Sequence, residues 1–310
     1  MTYLSQVDNP PRICLLTGGI GPMSTAAYDL YKSLWERVKE RNLQYYEMYP
    51  GDIAVVKKIV GALLEKPAAL PSGGLLTARR FLQQGLALGG SPSAFAAIHA
   101  KLSTAFLTDH DNDEPEFTKA FLQGMEHDAP FDNHPFYFLL HESIYGDGPG
   151  FSPTQWAAHR AYEDLVKTPS EFDYKLTSTM DSDARPTLFF GEMVFPWMAD
   201  GDYVELSGLG MRCLAHALAQ KDDWGPLYDA HRMRQALGGG SVTRAAAAVY
   251  VDDMYVDFDA CRKLTKRGGP LDKCKLWITN EYQHSGLRDN GAEIFSKLYS
   301  MATGCTKTPS

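Results

Sequence analysis

Only three runs in this chain have the continuous apolar character of a buried β-strand, and they lie far apart: residues 13–17 (ICLLT), 245–251 (AAAAVYV) and 275–279 (KLWIT). Apolar runs of that length fit strands covered on both faces, which in α/β proteins are parallel and alternate with helices. The first run closes on Gly18-Gly19, as a tight turn would require. Between the first and second runs the patterning is helical. In residues 25–41, Tyr28, Tyr31, Trp35 and Val38 recur at spacings of three and four, the stripe of a helix with one buried face. Residues 55–64 and 77–88 continue the trend, and 94–106 and 136–145 are further helical candidates. The chain reads as an α/β fold in which a large helical insertion separates one strand from the last two.

Three strands are few for a chain of 310 residues that is 44% apolar, enough for one large domain or two ordinary ones. A central strand without a neighbour leaves its backbone groups unpaired, and the first strand begins at residue 13 with none before it. The composition of the sheet therefore predicts a loss of core on the N-terminal side. Residues 109–115 (DHDNDEP) read as a solvated acidic loop, 145–153 (YGDGPGFSP) as a Gly/Pro-rich connection, and 306–310 as a disordered tail.

The charge balance narrows the partners. With 30 Lys+Arg against 38 Asp+Glu, the net charge of -8 provides no basic footprint, so neither nucleic acid nor an anionic membrane is expected. No apolar run approaches the length of a membrane span, and the start MTYLSQVDNPPR lacks the pattern of a signal peptide, which predicts a soluble, cytoplasmic protein. Cys14, Cys213, Cys261, Cys274 and Cys305 are widely spaced, with no C-x-x-C pair to suggest a disulfide framework or zinc site. His127, His134 and His141 recur at sevenfold spacing, but Pro130 and Pro135 interrupt any helix that would align them, so they are expected to be scattered surface residues. Gly18-Gly19-Ile20-Gly21 lacks the full spacing of a phosphate-binding loop and is expected to be a plain turn. Neither a metal nor an organic cofactor is expected.

The strongest chemical signal is the pair of loops that follow the last two strands. Asp252 and Asp253 follow the strand in VYVDDMYVD, and His284 follows the next in LWITNEYQHSGLR. Parallel strands deliver such residues to the carboxyl edge of a sheet, where α/β proteins place their active sites. An acid and then a histidine after successive strands is also the order in which α/β-hydrolases supply the acid and base of a triad. Spacing alone leaves open a plainer reading, of turn-forming aspartates and a loop histidine.

The runs AAAAVYVDDMYVD, LWITNEYQHSGLR, FFGEMVFPWM and LLHESIY, with the opening LLTGGIGP, resemble the proline iminopeptidase (prolyl aminopeptidase) family of α/β-hydrolase serine peptidases, in particular its larger, long-capped S33 members. The likeness runs along nearly the whole chain. It implies an incomplete α/β-hydrolase sheet with a large helical cap: a core remnant over 1–20, the cap over 21–205, the C-terminal core over 206–305, and then the tail. It implies Asp253 as the catalytic acid and His284 as the base, which should then lie within hydrogen-bond distance of each other. It also implies a cap glutamate, Glu192, that holds the substrate's free amine; the aromatic residues beside it in sequence, Phe190, Phe195 or Trp197, are expected to wall a prolyl ring.

The sequence departs from that family in one major respect. It has neither the HGGPG oxyanion loop nor a G-x-S-x-G elbow, and Ser91, Ser152, Ser207 and Ser241 all lack the flanking glycine pair that a nucleophile elbow needs. MTYLS resembles the helix that follows the elbow, which puts the nucleophile just before residue 1. The implied reaction is release of N-terminal proline from peptides or prolyl amides and esters, the partner being a small peptide or prolyl-bearing small molecule. The expected assemblies are a homo-oligomer or a complementing chain, the latter supplying the missing half of the site. The alternative is a non-catalytic remnant that binds or does nothing measurable.

Overall fold

A computed structural model describes residues 1–23, 25–107, 116–128, 131–148, 150–179 and 184–307. The three expected strands form one parallel sheet. Strand β1 (Ile13–Leu16) pairs with β4 (Arg244–Tyr250), which pairs with β5 (Lys275–Thr279), and a two-stranded antiparallel hairpin of β2 (Ala68–Ala69) and β3 (Leu75–Leu76) lies in the helical part. Strand β4 ends one residue earlier than its apolar run: Val251 N–H donates the last ladder hydrogen bond to the Thr279 carbonyl (3.0 Å), and the chain turns there.

The alanine run of β4 is a central strand with two buried faces. Successive side chains alternate across a pleated strand, so Ala245, Ala247 and Val249 join one apolar cluster and Ala246, Ala248 and Tyr250 another. The first cluster includes Leu4, Met233, Leu237, Cys261 and Leu264, brought by the helices Thr2–Gln6, Ala230–Leu237 and Phe258–Thr265. The second packs against Ile294, Leu298 and Met301 of the helix Gly291–Thr303. Helices on both faces of a parallel sheet make this a three-layer α/β core, small and open-edged among the described residues, which is consistent with the incomplete hydrolase sheet expected.

The rest is a helical cap with its own core. The helix Ala27–Met48 extends beyond the expected 25–41 and buries Tyr31, Leu34, Trp35, Val38, Tyr45 and Tyr46 along one face. Trp35, fully buried, packs against Phe172, Phe190, Tyr162 and Phe195, with ring centroids 4.9 to 6.4 Å apart. The expected helix over 77–88 is an α-helix only over Ala78–Leu82, capped by Thr77 Oγ1 accepting from Arg80 N–H (3.1 Å), and continues as a 3-10 helix over Gln83–Gly89. The expected 136–145 helix divides at His141 into Pro135–Leu140 and a 3-10 turn, Glu142–Tyr145.

Two boundaries differ from expectation. The helix Leu209–Gln220, expected in the C-terminal core, packs on the cap: Ala215 joins the cap cluster, and the carbonyl of Ala219 accepts from Gln155 N–H (2.8 Å). Thr306, expected in a disordered tail, donates its N–H to the Ser300 carbonyl (3.1 Å). Residues 308–310 and the acidic loop 109–115 lie outside the described residues.

Candidate active site

The parallel pairing of β4 and β5 decides the geometry. Tyr250 stands opposite Thr279 at the carboxyl ends of the two strands, so the loops that follow leave the sheet side by side. In the β4 loop Asp253 is 2% exposed. Its Oδ1 accepts the N–H groups of Tyr255 (2.8 Å) and Val256 (3.0 Å), the turn that an aspartate forms with the backbone just beyond it. Its Oδ2 lies 3.0 Å from Nδ1 of His284 in the β5 loop. A carboxylate only accepts, so Nδ1 carries the proton and donates, leaving Nε2 as the basic nitrogen. Among the described residues no protein group hydrogen-bonds to Nε2. The neighbouring Asp252 is exposed and lines a separate groove with Arg37 and Arg41.

Several opposing influences act on the imidazole. Burial disfavours its charged form most strongly, but the hydrogen bond and charge of Asp253, with the charge of Glu192, outweigh burial and the opposing Arg288, and its pKa ends above the ordinary histidine value. Glu192 is thus close enough for its charge to be felt at His284. Both line a cleft of about 980 Å³, together with Gly18, Tyr137, Tyr255 and Arg288.

Glu192 lies on an irregular buried stretch between the cap helices, where side chains satisfy the backbone. Asn42 accepts from Phe189 N–H (2.8 Å) and donates to its carbonyl (3.1 Å), and Phe190 N–H donates to the Leu82 carbonyl (2.9 Å). The Glu192 carboxylate accepts a hydrogen bond from the Tyr137 hydroxyl. Burial first, and then the Glu192 charge, hold the Tyr137 and Tyr255 phenols far above their ordinary range, so both remain neutral donors.

Asp253, His284 and Glu192 are therefore brought together, whereas Phe195 and Trp197 are not part of the cleft lining. Phe195 is fully buried and stacks on Trp197 (4.8 Å between centroids), which lies under the Arg79 guanidinium (4.9 Å). Their stacking puts them in the cap core, as are Phe190 and its neighbours. Aromatic surface at the cleft comes instead from Tyr137 and Tyr255. Tyr255 follows Asp253 within the same recognisable run, but Tyr137 sits in a short helix with no pattern to single it out. His141 is buried rather than superficial, with Nε2 3.3 Å from the Glu192 carbonyl oxygen, and His134 lines the cleft.

No family model matches the chain. A proline iminopeptidase of Aeromonas sobria is 33% identical over 305 residues, which are 98% of this chain and 64% of that protein. The proline iminopeptidase aneH of Aspergillus aculeatus is 26% identical over 302 residues, 97% of this chain and 61% of that one. The chain is thus similar in sequence to two proline iminopeptidases along nearly its whole length. It spans less than two thirds of the length of either relative. The similarity covers the sheet, the cap and both loops that carry Asp253 and His284.

Proposed function

We propose that these residues supply the acid, the base and the amine-binding carboxylate of a serine hydrolase that releases an N-terminal proline, or a similarly small residue, from peptides, amides or esters. The observation that carries this reading is the buried Asp253 carboxylate 3.0 Å from Nδ1 of His284, which leaves Nε2 free at the cleft. A serine hydroxyl attacks the acyl carbon as Nε2 takes its proton. Nε2 then returns that proton to the leaving nitrogen as the C–N bond breaks, and water releases the acyl group by the same two steps. Asp253 holds the tautomer and the charge of the imidazolium. Glu192 pairs with the primary or secondary ammonium of the substrate's first residue. The reaction calls for no cofactor.

The nucleophile is assigned to sequence outside these 310 residues. Ser91, Ser93 and Ser285 line the cleft, but Ser91 and Ser93 share a hydrogen bond with each other (3.0 Å) at the start of a helix, and none of the three has the paired glycines of an elbow. Two measurements test the assignment: hydrolysis of a prolyl naphthylamide by the 310-residue protein, and its labelling by a fluorophosphonate. Both are expected to be absent, and an in-frame HGGPG and G-x-S-x-G upstream of Met1 in the coding sequence would supply the missing groups. Labelling of Ser91, Ser93 or Ser285 with turnover would move the nucleophile into this chain. Coding sequence without an elbow would favour a binding protein.

A further inference from the structure

The 3-10 segment Gln83–Gly89, with its flanks Leu82 and Gly90, touches the support of every group in the proposed site. Towards the Asp253 loop, the Tyr255 hydroxyl donates to the Leu86 carbonyl, and a Cβ on Gly89 would come within 2.8 Å of Met254 and of the Tyr255 ring. Towards the His284 loop, Ser285 N–H donates to the Gly90 carbonyl (3.2 Å). Towards Glu192, a Cβ on Gly85 would come within 2.1 Å of the Phe190 carbonyl oxygen, so only glycine permits that approach. Gln83 Nε2 donates to the carbonyls of Gly191 (2.9 Å) and Met193 (3.0 Å), the two residues that flank Glu192.

Gln83 is 3% exposed, and its Oε1 has no hydrogen-bond partner among the described residues. Turning the amide over would not help, because two carbonyl oxygens would then face a third. An apolar side chain of similar size would remove the orphaned amide oxygen but would leave the Gly191 and Met193 carbonyls without their donor, so the amide is kept for its bonds to that backbone. Glutamine does one thing that leucine cannot: it grips the backbone on both sides of Glu192.

We propose that Gln83 is the positioning residue of the amine subsite, clamping Glu192 from a strap that also holds the Asp253 and His284 loops, so that the distance from ammonium acceptor to base is fixed. This rests on the reading of Glu192 given above. The ligands it selects carry a free primary or secondary amine nitrogen one carbon from the acyl group, and an N-acylated residue is rejected.

The test needs no turnover. Binding of L-prolinamide and of N-acetyl-L-prolinamide is measured by calorimetry on the wild-type protein and on Gln83→Leu, and the His284 imidazole is titrated by NMR in both and in Glu192→Gln. The groups that set that titration are Asp253, Glu192 and Arg288. Gln83→Leu is expected to weaken L-prolinamide about tenfold or more, the scale of one charge-assisted hydrogen bond, and to leave the acetylated ligand within about twofold. It is also expected to move the His284 midpoint down towards that of Glu192→Gln. Equal weakening of both ligands with a lower Tm, or unchanged L-prolinamide binding, overturns the proposal. If the leucine variant does not fold, Gln83→Asn, with its amide one methylene too short, is read by the same ratio. If the wild-type protein does not distinguish the two ligands, the amine reading of Glu192 fails by itself, and an unmoved His284 midpoint in the Gln83 variant then overturns the clamp.

Discussion

Strand β4 and the helix Ala27–Met48 are each the centre of their own half of the molecule, yet they bury opposite kinds of side chain. The strand buries alanines on both faces, so the helices above and below lie close and a regular backbone ladder does the positioning. The helix buries tyrosines and a tryptophan, and the cap that it anchors is held by interlocking rings and by side chains such as Asn42 and Gln83 that bond to irregular backbone. Asp253 and His284 consequently inherit their separation from strand register, whereas Glu192 is held by side chains such as Tyr137 and Gln83 on an irregular stretch. Substitutions should separate these two ways of fixing a residue.

The largest effect is expected where register delivers the chemistry. In the protein carrying its nucleophile, Asp253→Asn leaves a hydrogen bond of the wrong sense to His284 and is expected to lower kcat for a prolyl naphthylamide by about 10⁴-fold, with KM little changed. A loss of less than about tenfold would show that the pair is structural and would remove the central support for a triad. Next comes packing. Trp35→Ala, which empties the middle of the cap cluster, is expected to cost about 3–5 kcal/mol by chemical denaturation, whereas Ala247→Leu, which overfills the sheet, is expected to cost about 1–3 kcal/mol. The reverse order would mean that the sheet, not the cap, carries the tighter packing.

The third expectation concerns Glu192, placed by side chains rather than by a ladder. Glu192→Ala is expected to raise KM for prolyl amides by the equivalent of about 2–4 kcal/mol, with much less effect on an ester that has no amine. Equal effects on both substrates would assign Glu192 to structure alone.

What the sequence revealed follows the same division. The three strands could be read because a doubly buried strand must be continuously apolar, and Asp252, Asp253 and His284 because their positions follow from where strands end, although the choice of Asp253 and the two roles came from resemblance. Glu192 came from resemblance, since its segment is neither helix nor strand and has no period. The expectation that Phe195 and Trp197 face the substrate arose from their nearness to Glu192 in sequence. In an irregular stretch side-chain direction does not follow sequence spacing, and both pack inward. Gln83 and Tyr137 had no local signal, because their importance lies in contacts with residues more than fifty positions away.

The smallest and most specific expectation is a change of sign across the cleft. The His284 imidazole sits above its ordinary pKa because Asp253 and Glu192 outweigh burial and Arg288. A base that must be neutral to act then yields an acid limb in kcat/KM that lies above the usual histidine value of about 6.5. Glu192→Gln removes a raising charge and should move that limb to lower pH, whereas Arg288→Gln removes a lowering charge and should move it to higher pH. Stability is linked to the same proton. Because the folded-state pKa is raised, protonated His284 stabilises the fold fully below about pH 6.5, and that contribution is lost as pH rises through the folded value. Removing Glu192 should narrow the window from its upper end. An upward shift or none for Glu192→Gln would mean that Glu192 does not act on the imidazole through its charge, and that the cap does not communicate with the sheet across the cleft.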